Sequence, residues 1–151
     1  MRIGVISDTH GLLRPEALAA LDGVDQILHL GDIGNPVILD ALSKLAPITA
    51  IRGNVDTSGP CALLPATEVV EYFGHAIYLL HNLGDLDLNP ERAGFATVLS
   101  GHSHQPSIEK KNGVLYFNPG SAGPRRFQLP VTLGFMQITA AEIHAEYITL
   151  L

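Results

Sequence analysis

The chain has 151 residues, of which 46% are hydrophobic, and a formal net charge of −6. This length fits one domain with a substantial core, and the acidic balance argues against a stable nucleic acid complex, because counterion release needs clustered Lys and Arg. The single cysteine, Cys61, excludes an internal disulfide, and no apolar run approaches the ~18 residues of a membrane span. We therefore expect one soluble, cytoplasmic domain over residues 1–151 with no membrane partner.

The first third of the chain alternates between short apolar runs and helical segments. Three apolar runs are predicted to be strands: residues 2–7, 26–30 and 48–51. A helix is predicted over Pro15 to Leu21, where helix formers follow a proline suited to the first turn. Asn35 and Pro36 offer an N-cap and first-turn proline for a second helix, which Pro47 ends. This alternation predicts parallel strands.

The rest of the chain has a different pattern, dominated by strand pairs. Two pairs are predicted, residues 68–73 with 75–81 around Gly74, and residues 107–111 with 114–117 around Asn112 and Gly113. A short helical stretch at 89–93 precedes a strand at 97–99, and two final strands cover 131–138 and 142–150. The predicted class is α/β.

Short blocks of potential metal ligands follow the apolar runs. The blocks are Asp8-Thr9-His10, Gly31-Asp32, Gly53-Asn54-Val55-Asp56, His81 and Gly101-His102-Ser103-His104. Each would lie at the carboxyl end of a buried strand, where open α/β sheets bind their ligands. Asp8 and His10 are two residues apart, so we expect an extended strand end to project both to the same side.

The blocks at Asp8, Asp32 and Asn54 each have a simpler interpretation as a turn, since Gly, Asn and Asp favour turns and Asp also caps them. His102 and His104 are harder to dismiss, because two histidines two residues apart follow an apolar run on a loop. The joint pattern favours metal, because four of the seven histidines fall at strand ends beside carboxylates or glycines. The donor set mixes imidazole, carboxylate and carboxamide without thiolate, which suits Mn, Fe, Zn, Co or Ni and argues against a structural zinc site. We expect a dinuclear catalytic centre.

The ordered set D-x-H, G-D, G-N-x-D, H and G-H-x-H resembles the calcineurin-like metallophosphoesterases. With Asn118-Pro119-Gly120-Ser121 and the short length, it resembles the small bacterial and archaeal phosphodiesterase branch. This resemblance implies a four-layer α/β/β/α sandwich and two divalent ions, foremost Mn²⁺, with Ni²⁺, Fe²⁺, Zn²⁺ or Co²⁺ as alternatives. It also implies that Asp32 bridges the two ions. The resemblance places the first ion on Asp8, His10 and His104, and the second on Asn54, His81 and His102.

The resemblance implies a metal-dependent phosphodiesterase of small molecules, in which a hydroxide held between the ions attacks phosphorus. Asn54 and Asp32 are the expected catalytic residues, and Asn54 also helps to hold the phosphate. Arg125 and Arg126 are either substrate ligands, because a planar guanidinium suits phosphate, or part of a solvated loop. Two positions depart from the family pattern. Val55 replaces a histidine that acts as general acid or phosphate ligand, and Asn82 replaces a glycine, which predicts a narrower, more polar pocket floor.

Other interpretations stay open. The same fold resembles a retromer subunit, so a protein-interaction scaffold is the main alternative, and the sequence leaves a homo-oligomer open. Serine hydrolysis through Ser7 or Ser103 lacks a G-x-S-x-G elbow. Among residues outside the ligand set, we expect His29 to lie in the core, Asp56 to orient a neighbour rather than bind metal, and Cys61 to be structural.

Overall fold

The computed structural model describes residues 1–151, which form two five-stranded β-sheets. The strands are β1 (Arg2–Ile6), β2 (Gln26–His29), β3 (Ile48–Ala50), β4 (Thr67–Tyr72), β5 (His75–Leu80), β6 (Phe95–Leu99), β7 (Ser107–Lys111), β8 (Val114–Asn118), β9 (Thr132–Ile138) and β10 (Ile143–Thr149). The helices are α1 (Pro15–Leu21), α2 (Pro36–Ser43), α3 (Gly59–Ala62) and α4 (Pro90–Ala93), with a 3₁₀ turn at Leu83–Asp85. No helix has the length and apolarity that a membrane crossing requires.

The first sheet has the strand order β10-β9-β1-β2-β3. Strand β2 pairs in parallel with β1 and β3, whereas β9 pairs antiparallel with β1 and β10. Helices α1 and α2 connect the parallel strands and begin where the sequence predicts. Asn35 caps α2, because its side chain accepts a hydrogen bond from the Val37 N–H at 3.0 Å. The predicted parallel arrangement is confirmed.

The second sheet has the strand order β4-β5-β6-β8-β7. Hairpins form its two edges, β4 with β5 and β7 with β8, while β5, β6 and β8 run parallel at its centre. The turn between β7 and β8 is Asn112-Gly113, with φ angles of 52° and 78°. These left-handed conformations are what a two-residue hairpin turn requires, so the predicted hairpin is confirmed.

Three apolar clusters separate four layers. The cluster between the sheets joins Leu28 of the first sheet to Leu79, Leu99 and Phe117 of the second. A second cluster packs α1 and α2 on the outer face of the first sheet. On the outer face of the second sheet, Leu80 and its neighbours pack against the segment 83–93. The α/β/β/α sandwich expected from the resemblance is confirmed, with a thin fourth layer.

Two short elements were not predicted, and strand bounds differ from the predictions by one or two residues. Helix α3 contains only four residues and includes Gly59 and Pro60, which indicate a turn. The 3₁₀ turn at Leu83–Asp85 forms because the Asn82 side chain accepts a hydrogen bond from the Gly84 N–H at 3.0 Å. Both lie outside the periodic segments, where pattern carries little information. Cys61, in α3, is buried as expected.

Candidate metal centre

Loops at the carboxyl ends of β1, β2, β5 and β6 bring imidazoles and carboxylates together. Two groups form, and within each group the ligand atoms all lie within 4.8 Å of one another. The groups are Asp8, His10 and His104, and Asp32, His81 and His102. These strands belong to both sheets, so residues far apart in sequence meet at one edge of the sandwich.

The Asp32 carboxylate lies between the two groups. Its Oδ2 is 3.4 Å from His10 Nε2 in one group and 3.2 Å from His81 Nε2 in its own. Asp8 Oδ1 is 3.4 Å from His104 Nε2 and 3.8 Å from His81 Nε2. The two groups are therefore adjacent rather than separate, and ligand atoms of either carboxylate face imidazoles from both.

Hydrogen bonds leave one oxygen of each carboxylate free to face the imidazoles. Asp8 Oδ2 accepts from the Ser7 hydroxyl at 2.6 Å and the His102 N–H at 3.0 Å. Asp32 Oδ1 accepts from the Val55 N–H at 3.0 Å. The opposite atoms, Asp8 Oδ1 and Asp32 Oδ2, are the ones that point to the imidazole nitrogens. The surrounding protein thus fixes the direction of both carboxylates.

His81 is oriented in the same way. Its Nδ1 lies 2.7 Å from the Leu30 carbonyl oxygen, and a carbonyl only accepts, so Nδ1 carries the hydrogen. In the neutral ring, Nε2 is then left with a free lone pair, as in histidines that ligate metals. Buried polar atoms almost always have hydrogen bonds, yet His81 Nε2 and Asp8 Oδ1 have none within the protein and face only carboxylate and imidazole atoms of the ligand groups. A cation held by these atoms fits this arrangement.

Left-handed backbone is concentrated at the centre. Eight residues other than glycine have positive φ, and five of them belong to the ligand groups. The five are Asp8 (57°), His10 (46°), Asp32 (54°), His102 (71°) and His104 (62°). Such backbone is uncommon outside glycine, although Asp and His tolerate it better than most, and it clusters at functional sites. Asp8 and His10 do lie in one ligand group, but the expected extended strand end is wrong, because both residues have left-handed backbone.

The charges of the groups are strongly coupled. Burial alone would raise the pKa of Asp8, but His10 and His104 outweigh it and hold that pKa well below its usual range. Burial also opposes ionisation of Asp32, whose pKa is nevertheless lowered when His81 is protonated and by the hydrogen bond from the Val55 N–H. Both carboxylates are therefore ionised at neutral pH and carry the negative charge that a dication site needs.

Close packing around the carboxylates explains two of the glycines. A Cβ on Gly53 would collide with Asp32 Oδ1 and the Asp32 nitrogen, and a Cβ on Gly101 would collide with Ser7 Oγ. Neither glycine has positive φ, so space rather than backbone freedom requires them. These two glycines let their loops approach the ligand carboxylates.

A family model described as a calcineurin-like phosphoesterase superfamily domain matches residues 1–141. The chain belongs to this superfamily. Two archaeal relatives agree. A probable metallophosphoesterase of Methanocaldococcus jannaschii is 37% identical over 134 residues, which cover 80% of this chain and 68% of the relative. A probable metallophosphoesterase of Methanothermobacter thermautotrophicus is 34% identical, covering 98% of this chain and 92% of the relative.

Solved structures share the fold. A predicted phosphoesterase from Streptococcus pneumoniae superposes with a TM-score of 0.75 at 25% identity, covering 99% of this chain and 89% of that one. Vps29 from Entamoeba histolytica, crystallised with Zn²⁺, superposes with a TM-score of 0.77 at 20% identity, covering 99% of each chain. The family is that of phosphoesterases with divalent metal ions, and the fold also occurs in Vps29 proteins.

The remaining residues that the sequence predicts for this phosphoesterase's site lie on two sides of the ligand groups. Asn54 is exposed and lines, with His81, a cleft of about 400 Å³ that also contains Asp85 and Asp87. We call it the acidic cleft. On the other side, a cavity of about 300 Å³ is lined by His10 and His104 together with Pro124, Arg125 and Arg126. The two arginines are exposed residues of this cavity's rim.

The two positions that depart from the family pattern have distinct surroundings. Val55 is 47% exposed, so its side chain is not part of the packed core. Asn82 lines the acidic cleft, and its Oδ1 is occupied by the Gly84 N–H, so its amide hydrogens remain for other partners. The departure at Asn82 therefore adds a polar group to the cleft beside His81.

Two residues outside the ligand groups support the loops that carry them. The Asp56 carboxylate accepts hydrogen bonds from the backbone N–H groups of Ile33, Gly34 and Gly53 at 2.8–3.2 Å, which agrees with its expected orienting role. Ser121 Oγ, which the sequence did not single out for this role, donates to the Asp8 carbonyl oxygen at 2.9 Å. The sequence does not reveal this contact, because Ser121 and Asp8 are 113 residues apart and meet only in the tertiary structure.

His29 lies in the core, as expected, and is held as a neutral ring. Thr9 Oγ1 donates to the Ile33 carbonyl at 2.9 Å, so the His29 Nε2–H donates to Thr9 Oγ1 at 3.1 Å. The Gly31 N–H then donates to His29 Nδ1 at 3.1 Å. Burial lowers the pKa of His29 to about 4, because the charged ring would lose its solvation. A second ring proton on Nδ1 would also face the Gly31 N–H.

We predict that His29 makes the protein acid-sensitive. Between pH 6.5 and about 4, the His29 imidazole is protonated in the unfolded chain but not in the folded chain. The free energy of unfolding therefore falls as the pH falls. The total loss is about 3 kcal/mol. Urea unfolding with a chelator present should show a shallower pH slope for His29→Gln than for wild type. His144→Gln, at an exposed position, is the control. Equal slopes for wild type and His29→Gln would contradict the prediction.

Proposed function

We propose that this phosphoesterase is a phosphodiesterase that hydrolyses small phosphodiesters with two divalent ions, Mn²⁺ foremost. The observation that most supports the proposal is the position of Asp32, whose Oδ2 lies within 3.2–3.4 Å of an imidazole from each ligand group. A carboxylate oxygen between two sets of ligands is suited to bridge two ions. The expected ligands are Asp8, His10 and His104 for the first ion, Asn54, His81 and His102 for the second, and Asp32 for both.

When bound, the ions would lower the pKa of a water and neutralise charge on the phosphoryl oxygens. The remaining chemistry belongs to the side chains. Asn54 is exposed beside His81, so its amide is available to hold the phosphate as well as to serve as a ligand. Arg125 and Arg126 line the cavity next to His10 and present guanidinium donors to an anionic substrate. The buried side chains of His81 and Asp8 would not have to change orientation to bind a metal ion, because hydrogen bonds with the Leu30 carbonyl and the Ser7 hydroxyl already orient them.

The proposal predicts that purified protein takes up about two divalent ions per chain and hydrolyses bis(4-nitrophenyl) phosphate only when loaded. Elemental analysis after saturation with Mn²⁺, Ni²⁺ or Zn²⁺ gives the stoichiometry, and a chelator followed by readdition of metal tests the dependence. Zero uptake under saturating metal would contradict the proposal.

The alternative proposal is a protein-interaction scaffold of the retromer-subunit kind. It is supported by the fold shared with Vps29, at 20% identity. The six grouped ligands support metal binding in either case, because a Vps29 protein also binds Zn²⁺. The enzyme is favoured by the 34–37% identity to two probable metallophosphoesterases. Metal uptake without hydrolysis of any phosphodiester would favour the scaffold.

A further inference from the structure

The acidic cleft opens directly from the candidate metal centre. Its inner end is His81, which is 6% exposed and whose Nε2 has no partner within the protein, and Asn54 stands beside it. The volume of about 400 Å³ lies within the range of small-molecule sites. A phosphate held at Asn54 and His81 would therefore direct one of its ester groups into this cleft.

The polar groups of the cleft determine what that ester group must offer. Asp85 and Asp87 are exposed residues of the cleft, and ionised carboxylates only accept hydrogen bonds. Arg52 supplies one opposing charge, but its Nη1 already donates to the Leu64 carbonyl at 2.6 Å. The carboxylates favour a ligand that donates hydrogen bonds, and the Asn82 amide and the remaining Arg52 N–H groups can donate in return. Hydroxyl groups both donate and accept, so they suit this lining. A second phosphate would meet two carboxylates, and a hydrocarbon chain would offer no hydrogen bond to the polar side chains of the cleft.

Part of the wall is apolar. Tyr78, Leu80 and Ala66 line the same cleft, and Tyr78 is held by a tilted contact with Phe95 at a ring separation of 5.2 Å. A wall with both carboxylates and an aromatic or aliphatic surface suits a ring that carries hydroxyls on its edges. Carboxylates bind ribose hydroxyls in this way at dinucleotide sites.

We propose that the acidic cleft binds the hydroxyl-bearing sugar of the substrate, so that the natural substrate is a phosphodiester of a sugar or nucleoside. This inference rests on the proposed function. The opposite cavity carries Arg125 and Arg126, so the site has a cationic end and an acidic end. A substrate whose sugar lies in the acidic cleft places any further anionic group at the arginines. Extended nucleic acid, with a phosphate on both sides of each sugar, is disfavoured.

Calorimetric binding tests the assignment. Three monoesters are titrated into protein with Mn²⁺ and into chelator-treated protein: ribose 5-phosphate, adenosine 5′-phosphate and butyl phosphate, which has no hydroxyl. We expect the first two to bind more tightly than butyl phosphate. The double variant Asp85→Asn, Asp87→Asn should weaken them about tenfold and leave butyl phosphate unchanged, because charge-assisted hydrogen bonds are roughly twice as strong as neutral ones. Tighter binding of adenosine 5′-phosphate than of ribose 5-phosphate would identify a nucleoside.

The control is Asp22→Asn, Asp40→Asn, which removes the same charge at exposed positions near α1 and on α2. Equal affinity of wild type for all three esters, binding of none of them, or the same affinities in the cleft variant would overturn the proposal. Failure of the proposed function is distinguishable, because wild type would then not hydrolyse bis(4-nitrophenyl) phosphate at all. Failure of the cleft assignment alone leaves that hydrolysis intact.

Discussion

Replacing Asp32 by Asn is expected to reduce phosphodiester hydrolysis by about 10³-fold or more and to weaken both metal sites together. The substitution keeps the shape of the side chain but removes the charge of the oxygen that lies 3.2–3.4 Å from imidazoles of both groups. A shared charge of this kind contributes several kcal/mol to transition-state stabilisation, and each 1.36 kcal/mol is a factor of ten in rate. Metal titration by calorimetry and turnover of bis(4-nitrophenyl) phosphate measure the two effects.

The fold of this variant is checked separately. Asp32 also accepts a hydrogen bond from the Val55 N–H, and Asn retains a carbonyl oxygen for that bond, so the loop should keep its conformation. Asp40→Asn, at an exposed position on α2, controls for the loss of one negative charge. Full turnover by Asp32→Asn, or loss of one ion with the other unaffected, would rule out the proposed bridge.

The sequence predicts that the polar residues of the ligand groups converge, because they follow strands whose ends meet. Their division between two ions is what the family resemblance implies. Parallel strands end at the same edge of a sheet, so polar residues directly after β1, β2, β5 and β6 must come close together. The hairpin at Asn112-Gly113 was equally predictable, since two left-handed residues in sequence allow few alternatives. Local chemistry and one topological rule account for these successes.

The backbone of the ligands was not predictable in the same way. Asp8 and His10 were expected in extended conformation, but both have positive φ, which a pattern of alternating residues does not reveal. The acidic cleft was missed for a different reason. Asp85 ends the 3₁₀ turn and Asp87 follows it, in a segment without periodicity. Their position in one cleft with Asn54 depends on the approach of residues about 30 apart in sequence. Contacts of that kind need the tertiary structure.

The residue at position 55 concerns protonation of the leaving group. It stands where many members of the family carry a histidine, and a valine side chain donates no proton. Its backbone N–H holds Asp32 Oδ1 at 3.0 Å, so the residue is fixed beside the centre while 47% of its surface remains exposed. His29 does not substitute for the missing acid, because it is fully buried and both of its ring nitrogens have partners.

We therefore predict a steep dependence of the rate on the leaving group. Without a general acid, wild type should cleave nitrophenyl phosphodiesters readily and alkyl phosphomonoesters poorly. Val55→His should raise kcat/KM for poor leaving groups by up to about 10²-fold, the lower end of what general acid catalysis contributes, and change nitrophenyl substrates little. The exposed position leaves room for the imidazole, and the backbone bond to Asp32 is retained. A series of phenyl phosphodiesters of graded leaving-group pKa measures the slope.

The matched control is Val55→Asn, which adds a polar side chain of similar size that does not titrate in the relevant range. A gain shared by both variants would come from polarity or altered packing, whereas a gain limited to Val55→His, with a new basic limb in the pH profile, requires proton donation. The dependence of the wild-type rate on leaving-group pKa tests the absence of a general acid independently of any variant. If rates stay flat across the series while chemistry is rate-limiting, a proton donor other than residue 55 serves the leaving group. In that case the exposed valine has no kinetic consequence.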